Sequence, residues 1–187
     1  MHADGFAAHI PRTPHVSRFY LQCAAGDAAS SWPAERIWPQ LRRRLSLHGV
    51  GDLVAGRILE RGVLVMRSSV TAPMQFGRLV LAGDAAHVLT PCGAKGLNLA
   101  IADADDLARS LVARLRDGDG ELLEGYGARR LPDVWQSQEF SDWLLHLLHG
   151  PPGATAVEYE HQLRAARLEQ LQQPGAFAQA FASRYVG

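Results

Sequence analysis

The stretch Arg78–Asn98 reads RLVLAGDAAHVLTPCGAKGLN, and its residue types set up a ligand-facing turn ahead of a helix. Gly83 lets the backbone leave the end of a strand at Leu79–Ala82, and Asp84 places one carboxylate at its mouth. A carboxylate there accepts hydrogen bonds from sugar-like hydroxyls. Small Ala85 and Ala86 let a ligand come close to the backbone. Pro91-Cys92-Gly93-Ala94 presents a loop, with Gly93 or Gly96 permitting close contact. A helix starting near Gly96 offers free N–H groups and the positive end of its dipole. Such an end stabilises negative charge developing on a bound ligand. A bare Gly-Asp pair is more often only a turn with Asp84 as N-cap, so the weight rests on the full string. His87 reads as a packing or hydrogen-bonding residue rather than a catalytic one. Cys92 sits where a thiol can be acidified, but no His–carboxylate partner is evident for it.

These residues need elements to hold them. Leu79–Ala82 is expected as a short buried strand, preceded by a turn at Pro73 and Gly77. Phe6–Ile10 and Arg18–Cys23 read as strands, with Pro11 and Pro14 breaking the connection between them. Ser31-Trp32-Pro33-Ala34-Glu35 is a helix start, and Arg42–Arg44 is a basic end that suits the dipole of a helix reaching Leu45. Gly49, Gly51 and Gly56 loosen the next stretch, and the Val-rich Arg57–Thr71 predicts one or two strands. From Gly96 the apolar spacing turns helical through Leu97, Ile101, Ala104, Ala108, Leu111 and Leu115, ending near Gly118-Asp119-Gly120. Further helices are expected at Glu121–Leu148 with a break or kink at Pro132, at Thr155–Gln172, and at Ala176–Ser183. Gly150-Pro151-Pro152-Gly153 and Pro174-Gly175 separate them. Strands first and helices afterwards is an α+β arrangement within the broad α/β class, not the regular alternation of a complete doubly wound domain.

The 187 residues suffice for a real core. Nineteen basic and nineteen acidic side chains cancel, which gives no support to a nucleic-acid or membrane-surface role. No apolar run approaches the roughly 20 residues of a membrane span, and the N-terminus lacks the pattern of a signal peptide. Two cysteines, Cys23 and Cys92, are too few for a disulfide framework or metal cluster. A cytoplasmic setting is the expectation.

The string GDAAH, followed by PCGAKGLN, resembles the second FAD-binding motif of the FAD-dependent aromatic hydroxylases, the family of the 4-hydroxybenzoate 3-monooxygenase kind. The resemblance implies a FAD/NAD(P)-binding flavoprotein hydroxylase fold. Residues 1–77 would be the remainder of a substrate-binding sheet domain, 78–118 the second FAD motif with its helix, and 119–187 a C-terminal helical region. It implies hydroxylation of a phenolic acid ortho to its hydroxyl, with FAD as cofactor, NADPH as co-substrate and O2 as oxidant. Gly83, Asp84 and Gly96 would line the flavin, Asp84 bonding the ribityl chain. Backbone N–H groups at Leu97 and Asn98 would meet the flavin pyrimidine. The Pro91 carbonyl would lie near the substrate phenol, Lys95 would add positive charge, and Tyr185 would match a tyrosine that partners the phenol-activating one.

The resemblance extends to Gly5-Phe6-Ala7 and Ser17-Arg18-Phe19-Tyr20-Leu21-Gln22. It implies that Arg12 pairs with a substrate carboxylate, that Tyr20 adds a hydrogen bond to it, and that Arg18 reaches the flavin side. A guanidinium suits such a planar partner. Arg67 matches a residue implicated in NADPH contact. Trp135, Phe140 and Trp143 match aromatics in a helix pair that packs against a partner subunit, so a homodimer through the helical region is implied. Two departures loosen the substrate assignment: Ile10 stands where the family holds the carboxylate with a serine, and Cys92 where it carries a threonine.

Family members begin with a strand, a GxGxxG turn and a helix for the ADP half of FAD. This sequence has no such motif; Gly49-Val50-Gly51 followed by Gly56 has the wrong spacing. The resemblance covers essentially this whole chain but about the last half of the family's length. It therefore leaves two other expectations standing: a non-catalytic truncated or split-gene product that needs an N-terminal half, and a related flavin monooxygenase with another aromatic substrate.

Overall fold

The computed structural model describes residues 2, 4–46, 53–149 and 157–186. Gly49 and Gly51, the Gly150–Gly153 interruption and the start of the third expected helix at Thr155 lie outside the described residues. The chain divides into two compact units, one of Met1–Val65 with His146–Phe181, the other of Met66–Leu145 with Ala182–Gly187.

In the first unit, β1 (Ala7–Thr13) and β2 (Val16–Leu21) form an antiparallel hairpin. Ala8 faces Tyr20 and Ile10 faces Arg18. Pro11 does not end the strand as expected. It sits opposite Ser17, and the register shifts between Pro11 and Thr13, the irregular edge position where a sheet tolerates proline. Pro14 falls in the turn. Helix α1 (Ala34–Leu45) begins with Pro33 itself as the extended N-cap, a residue earlier than the first-turn place expected. It buries Leu41, worth roughly 1.5–3 kcal/mol of apolar transfer. Its basic end does more than meet the dipole: Arg44 donates to the Gln22 carbonyl at 2.7 Å, and Arg43 pairs with Asp4 at 2.6 Å. Burial holds the Arg44 guanidinium below its usual range. Helix α5 (Val157–Gln172) belongs to this unit.

The second unit is built on Met74, Ala86, Leu99, Tyr126 and Val134, flanked by Val70, Val80, Leu81, Leu89, Leu107 and Leu131. Two short antiparallel pairs enter it: β3 (Ser69–Val70) with β6 (His87–Val88), and β4 (Gln75–Phe76) with β5 (Leu79–Val80). Helix α2 (Gly96–Val112) continues as a π-turn over Ala113–Asp117 and stops at Gly118, whose φ of +74° suits glycine. Short α3 (Glu121–Glu124) and long α4 (Tyr126–Leu148) come next. Helix α6 (Ala176–Val186) runs three residues beyond its expected end, so Tyr185 is helical.

Three further expectations are corrected. Of Arg57–Thr71 only Ser69–Val70 is a strand; its other described residues find no ladder partner among the described residues, and Leu64 and Val65 stay exposed. The strand at Leu79 is two residues long and Leu79 is exposed, because β5 only closes a hairpin across Gly77. The helical break falls at Gly125, not Pro132. Pro132 sits inside α4, where the packing of Tyr126 and Val134 offsets a helix-interior cost of roughly 3 kcal/mol. The order of strands first and helices afterwards stands as expected.

Candidate functional site

Gly83–Ala85 is a 3-10 turn between the β4–β5 hairpin and β6. Gly83 adopts φ +59°, and a Cβ added there would stand 3.3 Å from the Ala100 Cβ on α2. Its N–H donates to Asp103 Oδ2 at 3.0 Å. The turn is thus fastened to one face of α2, while the Asp84 side chain and Ala85 remain exposed.

The chain next passes through a 3-10 turn at Pro91–Gly93, with Ala94 left-handed at φ 52°. This turn is pinned to α4: a Cβ on Gly93 would lie 2.7 Å from Ser141 Oγ, and Thr90 Oγ1 donates to the Ser141 carbonyl at 3.4 Å. Helix α2 then starts with no side-chain cap. The Leu99 N–H donates to the Lys95 carbonyl at 2.9 Å, so the N–H groups of Gly96, Leu97 and Asn98 precede the first closed helical bond. Leu97 and Asn98 are exposed, and nothing lies within 4 Å of a Cβ placed on Gly96. Leu97 (72% exposed) and Ile101 (58%), four residues apart, share one exposed face of α2.

The other expected site residues divide between the two units. Pro91 is exposed at the head of its turn. Lys95 is buried, and its ammonium donates to the Tyr185 carbonyl near the end of α6 at 2.8 Å, with the Phe140 ring centroid 6.0 Å away. The Tyr185 ring lies 6.4 Å from Phe140. Arg67 is exposed two residues ahead of β3. All of these belong to the second unit, with Gly83, Asp84, Gly96, Leu97 and Asn98. Arg12, Arg18 and Tyr20 belong to the first, Arg12 at the register shift of β1, Arg18 exposed and Tyr20 half-buried on β2. Trp135 is exposed, Phe140 buried and Trp143 intermediate on α4.

Burial pushes the Cys92 thiol up despite a hydrogen bond involving Thr90, so the helix end does not acidify it. The Arg129 hydrogen bond holds the Asp106 carboxyl below its usual range. Among the described residues no helix is long and apolar enough to cross a membrane, and no group of three or more potential metal ligands occurs.

Sequence reasoning gave no weight to Asp103 or Arg130. Asp103 is completely buried and Arg130 nearly so, and together with His87 they form a charged cluster behind the Gly83 turn. The available signal was position: Asp103 lies four residues from Leu99 and from Leu107, on the helix stripe that packs inward.

FAD offers ribityl hydroxyls as donors and a pyrimidine edge rich in acceptors. The site offers the complement: an exposed carboxylate at Asp84, helix N–H donors at Gly96, Leu97 and Asn98, and an uncrowded approach over Gly96. The residues present fit that end of the cofactor. The chain belongs to the FAD binding domain family, which it matches over residues 1–141. It is 37% identical over 183 residues to p-hydroxybenzoate hydroxylase of Acinetobacter baylyi, an alignment covering 98% of this chain and 45% of that protein. It is 31% identical over 153 residues to a probable NADH-specific resorcinol 4-hydroxylase of Rhodococcus jostii, covering 82% of this chain and 28% of the relative. The chain thus spans less than half the length of these relatives. The solved structure of the rebeccamycin biosynthetic enzyme RebC with reduced flavin overlaps 57% of this chain and 22% of its own at 37% identity and a TM-score of 0.42.

Proposed function

We propose that this chain carries the flavin-facing part of a FAD-dependent monooxygenase that hydroxylates a phenolic acid, 4-hydroxybenzoate-like, ortho to its hydroxyl with NADPH and O2. The observation that carries the reading is the pairing of exposed Asp84 with the uncapped α2 N-terminus, both held by one packed core. Residues 1–77 belong to a substrate sheet in this reading, 78–118 to the flavin segment and 119–187 to a helical region.

Bound flavin supplies electron transfer from NADPH and activation of O2. The protein's part is binding, orientation and charge. Asp84 accepts hydrogen bonds from ribityl hydroxyls next to Gly83. The N–H groups of Gly96, Leu97 and Asn98 hold the pyrimidine edge and favour negative charge there. Pro91 offers its carbonyl to the phenol, with Tyr185 and Lys95 behind it. Arg12 and Tyr20 hold the substrate carboxylate, a planar partner for guanidinium. Arg18 reaches the flavin side, and Arg67 meets NADPH.

A related monooxygenase with another aromatic substrate is the second reading. Ile10, opposite Arg18 in the hairpin, cannot donate a side-chain hydrogen bond to a carboxylate. A panel of phenols with and without the carboxylate decides between them, followed as oxidation of NADPH or NADH by the FAD-loaded chain. The first reading expects stimulation by phenolic acids and its loss in Arg12→Ala. Indifference to the carboxylate and to Arg12 would favour the second, and no stimulation by any phenol would defeat both.

A further inference from the structure

We propose that Asp103 is a positioning residue for the flavin-facing turn, acting through the Gly83 N–H, and that His87 and Arg130 fix the orientation of its carboxylate. This rests on the reading of Asp84 as a flavin ligand.

Asp103 is 0% exposed, yet its carboxylate is fully engaged. Oδ2 accepts from His87 Nε2 at 2.6 Å and from the Gly83 N–H at 3.0 Å. Oδ1 accepts from Arg130 Nε at 2.9 Å. Arg130 in turn reaches Asp133 at 2.6 Å through its other nitrogen. A buried carboxylate is costly unless paired and hydrogen-bonded, and here a cation and two N–H groups meet it from three segments. The other partners of this carboxylate, the Gly83 N–H and Arg130, are both donors, and that network assigns the His87 tautomer with its hydrogen on Nε2. His87 Nδ1 is buried without a hydrogen-bond partner among the described residues, so the Asp103 bond is the one that sets the ring.

The Gly83 bond is the functional link. Gly83 is left-handed and precedes Asp84 directly, so a carboxylate holding its N–H fixes the turn from which the Asp84 side chain emerges. Asp103 sits three residues beyond Ala100, whose Cβ would lie 3.3 Å from a Cβ placed on the same glycine. The helix that presents N–H donors to the flavin at its first turn therefore also anchors, two turns later, the turn that presents Asp84. One rigid element sets the spacing between the two halves of the ligand site, the arrangement that preorganised binding requires.

The test is Asp103→Asn in the whole chain, with His87→Gln and His87→Ala beside it. Glutamine can keep a donor near the Nε2 position; alanine cannot. Two readouts are taken where circular dichroism shows each variant folded: amide hydrogen exchange at Gly83, and riboflavin affinity by fluorescence quenching. The expected result for Asp103→Asn is faster exchange at Gly83 with Leu99 and Val134 unchanged, and affinity lowered roughly tenfold, the scale of one charge-assisted hydrogen bond. His87→Ala should match it and His87→Gln should restore both readouts. Unchanged Gly83 exchange in folded Asp103→Asn overturns the proposal, and so does acceleration spread evenly over the core. If Asp103→Asn does not fold, the His87 pair decides: equal exchange at Gly83 in both overturns it. If the wild-type chain binds no riboflavin, the flavin reading fails, while the Gly83 exchange still decides whether Asp103 holds the turn.

Discussion

Gly83 and Ala100 stand so close that a methyl group on the glycine would meet the Ala100 Cβ at 3.3 Å, with Gly83 already at φ +59°. The turn and the helix face approach each other at a backbone position where a side chain is disfavoured twice, by φ and by space. Gly83→Ala should therefore destabilise the fold by about 1–2 kcal/mol from the left-handed strain alone. Urea unfolding followed by circular dichroism measures it, and a midpoint equal to wild type would mean the turn relaxes freely.

Two glycines at the helix entrance should respond in opposite ways. A Cβ on Gly93 would press to 2.7 Å from Ser141 Oγ, whereas one on Gly96 meets nothing within 4 Å. Gly93→Ala is expected to cost about 1–3 kcal/mol of overpacking. Gly96→Ala should leave stability unchanged or raise it by up to about 1 kcal/mol through helix propensity, while weakening flavin binding. Paired thermal melts and flavin titrations separate the two effects.

Tyr126 is buried with its hydroxyl donating to the Leu81 carbonyl at 3.1 Å. Burial first, and the nearby Asp103 carboxylate second, push its phenol up to about 12, against partial relief from Arg130. An acid whose folded value is raised contributes stability that is complete below its unfolded value near 10 and is lost as pH rises through the folded one. Titration of tyrosinate absorbance should find Tyr126 ionising only near pH 12 or on unfolding. Tyr126→Phe should remove that late step; a late step persisting in the variant would assign it elsewhere.

The flavin-facing segment is legible in the sequence because its chemistry is local: a glycine, a carboxylate and a helix start lie within sixteen residues. Helices α1 and α2 are legible from their starts and stops. Asp103 is not, since three acids, Asp103, Asp105 and Asp106, crowd one helix and only packing distinguishes the buried one. The strands expected over Arg57–Thr71 fail for a related reason: alternation states a preference, while a strand needs a partner from elsewhere in the chain. Pro132 misleads because tertiary packing carries α4 through it.

Lys95 spends its charge on the Tyr185 carbonyl at 2.8 Å, in the last turn of α6, where a cation suits the helix dipole. Lys95→Met keeps the stem but drops that bond. Hydrogen exchange at Ser183–Tyr185 should accelerate, with Val134 and Leu99 unaffected, and a loss of about 0.5–1.5 kcal/mol in unfolding free energy is expected. Unchanged exchange there would mean that the Arg184–Glu139 pair, 2.6 Å apart, holds the helix end without help.

In the proposed function, Asp84 and the α2 N-terminus together hold the flavin end of FAD. Fluorescence quenching of riboflavin, FMN and FAD by the wild-type chain and by Asp84→Ala puts that pairing to the test. Saturable quenching by wild type is expected, with similar affinity for all three because the contacts lie on the flavin end. Asp84→Ala should weaken it roughly tenfold or more, the loss of hydrogen bonds to a charged acceptor. Equal affinity in wild type and variant, or no saturable quenching by wild type, would refute the pairing.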